Sequence, residues 1–180
     1  MNLPDYSALF RRDKVRPLRF RARCDPNFVH DVQFLCSYLH DARFLPEAVT
    51  RRGKKVAIVL ERDCWELGYT EGGGALDMHV AKSRLTISPV VSVRWEAADL
   101  ERLQRELWIE SIYVGAAHWE TPEFSEIVIS APHDGWKLRI SVAADFPDTR
   151  LDDLETPYLH SARLGAVGVS AAEFGQEASG

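Results

Sequence analysis

Two hydrophobic periods share this chain. Leu18, Phe20, Ala22 and Cys24 fall on one side of an extended segment, with Arg19, Arg21 and Arg23 on the other. That period of two predicts a half-buried strand from Leu18 to Cys24. The period then lengthens: Phe28, Val32, Leu35 and Leu39 recur at helical spacing, and Ala42 extends the stripe. Asp25-Pro26 supplies a start signal, an aspartate that accepts from open amide donors and a proline whose missing N–H is no loss in the first turn. The spacing predicts a helix from Asp25 to about Phe44, stopped near Pro46.

Beyond it the strand period returns. Arg51-Arg52-Gly53-Lys54-Lys55 is a turn leading into Val56–Leu60, an unbroken apolar run that predicts a central strand covered on both faces. Residues 65–75, with Gly72 to Gly74 in succession, predict a loop. Leu76 to Trp95 is strand-like and interrupted at Pro89, which cannot donate to a ladder. Ala97, Leu100, Leu103 and Leu107 predict a short amphipathic helix. Ile109–Trp119, Phe124–Ala131 and Trp136–Val142 predict strands, the last two joined by Pro132-His133-Asp134-Gly135, a proline-to-glycine turn.

Tight turns in place of βαβ crossovers favour an α+β fold, a largely antiparallel sheet of six or seven strands. One long N-terminal helix packs on a face and one short helix accompanies it. The alternative is a β-sandwich with an N-terminal helix. Residues 1–16 form a polar extension, 17–160 a single α+β domain and 161–180 a small-residue tail. The 180-residue length suits that one domain.

Composition narrows the class without naming a function. No apolar run approaches the roughly 20 residues that a membrane-spanning helix needs. The arginine-rich N-terminus is not expected to act as a signal peptide, and three cysteines, Cys24, Cys36 and Cys64, make neither a disulfide framework nor a zinc knuckle. A cytoplasmic protein without membrane, metal or other cofactor is expected. The net charge of −5 is unevenly spread: residues 1–55 carry +6 and residues 56–180 carry −11. The pI near 5.7 argues against a nucleic-acid binder. The acidic run from Asp145 to Glu155 is expected instead to approach the arginine face, in the same chain or across a homodimer.

Candidate chemistry is sparse. Cys36 and His40 stand at a metal-compatible i, i+4 spacing, yet a thiol at the margin of an apolar stripe is equally a small hydrophobe. His118, Glu120 and Glu123, or His133 and Asp134, can supply acid–base groups, although turn geometry explains Asp134-Gly135. Neither a nucleophile elbow nor a phosphate-loop signature is present. Trp65 and Tyr69, beside the glycines, can line a cleft; Trp108, Trp119 and Trp136 suit the core. Arg19, Arg21 and Arg23 can clamp an anionic partner or guard a sheet edge. The partner-surface candidates are therefore Arg19, Arg21, Arg23, Trp65 and Tyr69, on a non-catalytic module that binds an unidentified protein or small ligand. The rival is a small hydrolase-like enzyme whose site, around His79, His118 and residues 65–75, forms only in three dimensions. Two histidines and a carboxylate in one concave pocket would favour that rival.

Overall fold

The computed structural model describes residues 15–72, 75–115, 125–143 and 147–163. Most of the 1–16 extension and of the 161–180 tail lies outside the described residues. So do His118, Trp119, Glu120 and Glu123.

The chain opens with β1 (Arg19–Arg21) and α1 (Phe28–Leu39). Then come β2 (Arg43–Phe44), β3 (Val49–Arg52), β4 (Lys55–Asp63), β5 (Tyr69–Gly72), β6 (Ala75–Ser88) and β7 (Val90–Ala97). The second half holds β8 (Leu107–Trp108), β9 (Ser111–Gly115), β10 (Ser125–Ala131), β11 (Trp136–Val142), β12 (Asp148–Asp153) and β13 (Tyr158–Arg163). The pairings among the described residues are all antiparallel. The α+β class is thus as expected, with more strands and two sheets: nine strands follow the path β1-β12-β6-β4-β2-β8 with β3, β5 and β13 alongside, and four follow β7-β11-β10-β9.

Both sheets and the helix feed one core. Phe28, Val32, Leu35 and Leu39 of α1 are all buried, whereas Gln33 is exposed. Phe34 and Tyr38 close on Phe20 of β1 at centroid distances of 6.0 and 5.7 Å. Phe44 of the large sheet meets Trp95 and Trp136 of the small one at 6.3 and 5.8 Å. Beneath the helix lies a charge network shut off from solvent. Arg62 binds both oxygens of Glu66 (3.0 and 2.8 Å) and both of Asp153 (3.0 Å each). Asp153 also accepts from the Leu18 amide and Ser83 Oγ, each at 2.6 Å. Burial opposes the Arg62 charge, but these hydrogen bonds outweigh it and hold the guanidinium above its ordinary pKa. β4, β6, β12 and the segment entering β1 are thereby tied together.

Several elements differ from the pattern-based reading. Asp25 does not cap the helix; its side chain accepts from the Asn27 amide in a turn that precedes it. The helix ends at Leu39, where His40 leaves the helical region (ψ 132°). Asp41 follows in a left-handed conformation (φ 65°), which a short polar side chain tolerates, and the chain then joins Ile109 through Asp41 and Ala42. Ala42 is buried as its place in the stripe predicts, but in that connection, and Phe44, the expected helix end, is buried in β2. The strand at β1 is shorter than predicted: the Arg23 amide turns to Asp31, leaving Cys24 exposed. The predicted helix around Ala97–Leu107 is a single 3-10 stretch, Leu100–Gln104. Within the predicted loop, Trp65–Leu67 form a 3-10 turn and Tyr69–Gly72 form β5, which pairs antiparallel with β6. The acidic run becomes β12, whose Thr149, Leu151 and Asp153 point inward. β13 continues past it.

Candidate functional site

β4 has one buried face only. Val56, Ile58, Leu60 and Arg62 point into the core, and Lys55, Ala57, Val59, Glu61 and Asp63 stay on the outer face of the large sheet. The apolar run that suggested burial on both sides therefore leaves Ala57 and Val59 half-exposed. They floor a concavity of about 310 Å³ lined by Thr50 and Arg52 of β3, Lys55, Ala57 and Val59 of β4, and Arg84 of β6.

The register explains why these side chains meet. Arg52 stands opposite Lys55, Thr50 opposite Ala57, and Val59 opposite Arg84. Gly53, at φ 58°, makes the tight β3–β4 turn. The turn is pinned to β7: Arg51 Nη2 donates to the Val91 carbonyl at 2.8 Å and the Val90 amide to the Lys54 carbonyl at 2.7 Å. Thr50 Oγ1 donates to the Ala57 carbonyl across the ladder. Among the described residues, Arg52, Lys55 and Arg84 make no ion pair. Asp152 faces Arg84 across β12 without closing one.

The rest of this face is different. Asp148 takes Arg21 Nε and Arg150 Nη2, each at 2.7 Å, and their hydrogen bonds hold its carboxyl below the usual range. The acidic run thus meets the arginine strand within one chain. At the far end of β4, Arg43 lies 2.7 Å from Glu61 and 3.7 Å from Asp63, with its guanidinium over the Trp108 ring. Tyr158 Oη donates to Glu61 Oε2 at 3.3 Å. Burial pushes the Asp63 carboxyl up despite Arg43, and Asp41 and Glu61 add to that rise.

The candidates named from sequence do not converge. Arg19 and Arg21 share the outer face four strands from β3, about 19 Å away at one strand spacing each. Arg23 is held by Asp31 at 2.7 and 2.9 Å. Arg21, Arg23, Cys24 and Asp25 line a second hollow. Trp65, 37% exposed, donates through Nε1 to the His40 carbonyl, and Tyr69 opens β5 opposite Met78. Cys36 Sγ accepts from the Ile112 amide, while His40 turns to Asp41. His133 pairs with Glu110 at the hairpin tip. His79 sits on β6, and among the described residues no histidine lines either cavity. Trp136 is buried as expected, but Trp108 is 41% exposed. The Arg52, Lys55 and Arg84 groove was missed. Its sequence signal was available: a basic turn feeding a strand whose alternation fails at Ala57 and Val59.

No protein-family model matches the chain, and no curated protein or solved structure matches it either. Among the described residues, no helix is long and apolar enough to cross a membrane.

Proposed function

We propose that the protein is a non-catalytic binding module that holds an anionic ligand on the outer face of its large sheet, between Arg52, Lys55 and Arg84. One observation carries this reading: three cations from three adjacent strands line a concavity with, among the described residues, no carboxylate in its lining. Like charges placed directly across a ladder, as Arg52 and Lys55 are, disfavour the fold. Elsewhere on the face Arg21, Arg43 and Arg150 have carboxylate partners. A bound anion removes that repulsion, and guanidinium groups bind carboxylate or phosphate through two parallel hydrogen bonds. A cytoplasmic setting suits the three free thiols.

Titration with inorganic phosphate at low ionic strength, followed by ¹H–¹⁵N NMR, tests the reading. Amides of residues 50–59 shift, added salt reverses the shifts, and Lys55→Glu abolishes them. Shifts confined to residues 19–23, or none at all, would overturn it.

A second reading, a small hydrolase-like enzyme, draws support from the opposite end of β4. There Asp63, with its raised carboxyl pKa, lies in the field of Arg43, Asp41, Glu61 and His160. Hydrolysis of an ester substrate lost in Asp63→Asn but kept in Lys55→Glu would favour it.

A further inference from the structure

Resting on the anion-binding reading, we infer that the groove takes an elongated ligand with two anionic ends and an apolar middle. The cations do not form one cluster. Arg52 and Lys55 face each other at the turn, whereas Arg84 stands opposite Val59. Lys55 and Val59 are four residues apart on one strand, which places the two charged rows about 13 Å apart along the backbone. Between them the outward positions of β4 offer only Ala57 and Val59, both half-buried, with Thr50 and Thr86 across the ladder from Ala57. The Thr50 hydroxyl is already committed to the Ala57 carbonyl.

A small compact anion satisfies one row and leaves the other unneutralised. An acidic peptide spreads charge along its whole length and sets part of it over the apolar Ala57 and Val59 rather than at the two cation rows. A molecule with an anionic group at each end and a short aliphatic or flat apolar body matches all three features. Its doubly charged end belongs at Arg52 and Lys55, because two cations converge there. A single carboxylate is enough for Arg84, because Asp152 stands across from it on the other side. A volume of about 310 Å³ lies at the small end of ligand pockets, which fits a metabolite-sized molecule.

The test is a chain-length series of α,ω-dicarboxylates, from succinate to dodecanedioate, titrated against the full chain by NMR or calorimetry at low salt. Inorganic phosphate and monocarboxylates of matched length are run in parallel. Affinity should peak at an intermediate length, about tenfold above the matched monocarboxylate. Arg84→Gln should flatten that peak while leaving phosphate binding at the turn intact. Equal affinity for mono- and dicarboxylates at every length, with phosphate still bound, overturns the two-ended ligand and spares the anion site. Failure of every anion to bind overturns both. The length series needs no variant, so the result does not depend on how Arg84→Gln folds.

Discussion

Replacing Asp153 by alanine removes the hydrogen bonds that its carboxylate accepts from the Leu18 amide, from Nε and Nη2 of Arg62, and from Ser83 Oγ. Arg62 keeps Glu66 at 2.8 and 3.0 Å, so the guanidinium retains one counter-charge. The Leu18 amide and the Ser83 hydroxyl lose their carboxylate acceptor in a site with no exposure at Arg62. Removing one partner of a buried ion pair costs about 3–5 kcal/mol, and stranding a neutral donor about 1–3 kcal/mol. With Glu66 still in place the lower ends apply, and the expected loss is about 4–5 kcal/mol. Whole-domain stability is only about 5–15 kcal/mol, so this is a large fraction of it. Urea titration followed by tryptophan fluorescence measures the loss. Asp152→Ala, one residue away on β12 and facing outward, is the control and should change stability by less than about 1 kcal/mol. A loss below about 1 kcal/mol for Asp153→Ala, or equal losses for the two variants, would refute the argument that this network ties the strands together.

Leu35→Ala should cost about 2–5 kcal/mol by opening a cavity under the helix, and Gln33→Ala less than about 0.5 kcal/mol; equal effects would contradict the assignment of helix faces. His133 has its pKa raised by its hydrogen bond to Glu110, so the pair's contribution is complete below the ordinary histidine pKa and fades as pH rises through the folded value. Glu110→Gln should bring the NMR-measured His133 pKa down, and an unchanged value would remove the pairing. Asp148 is shifted the other way, so its contribution holds above the ordinary aspartate pKa and disappears as acid takes pH through the lower folded value. Arg150→Ala should raise the Asp148 pKa measured by carboxyl NMR.

The sequence made the fold class legible because burial enforces period. Phe28, Val32, Leu35 and Leu39 are inward as their spacing requires, and Trp136, Leu138, Ile140 and Val142 alternate cleanly in β11. The errors lie where tertiary contacts override local signals. Ala42 fits the helical stripe but is captured by the Ile109 connection, and Phe44, taken as the helix end, pairs with Leu107 in β2. β12 was hidden because one of its three inward positions is Asp153, a charge tolerated only because Arg62, Ser83 and Leu18 surround it. Arg62 was equally invisible: an arginine flanked by charged residues gives no hint of complete burial. The arginine strand was found, and its acidic partner with it, because both sit in register on a shared face. The groove was not, since its cations come from three strands and only the ladder brings Arg84 beside Val59.

The unpaired cations of the groove make one electrostatic claim that stability can test. Ala57 is half-buried between Lys55 and Val59, with Thr50 and Thr86 across the ladder. Glutamate at this position puts a carboxylate within reach of Lys55, Arg52 and Arg84. Each exposed pair adds about 0–1 kcal/mol, and the poorer strand propensity of glutamate removes up to about 1 kcal/mol, so the net change at low salt should be near zero. Salt separates the two contributions. At about 1 M the screening length falls to roughly 3 Å, which weakens the ion pairs and leaves propensity untouched. Ala57→Glu should therefore match the parent in dilute buffer and fall about 1 kcal/mol below it in concentrated salt, while phosphate no longer shifts the amides of residues 50–59. If the variant is instead the weaker protein at low salt and recovers as salt is added, the potential over Ala57 is not positive. An anionic ligand would then have no reason to settle there.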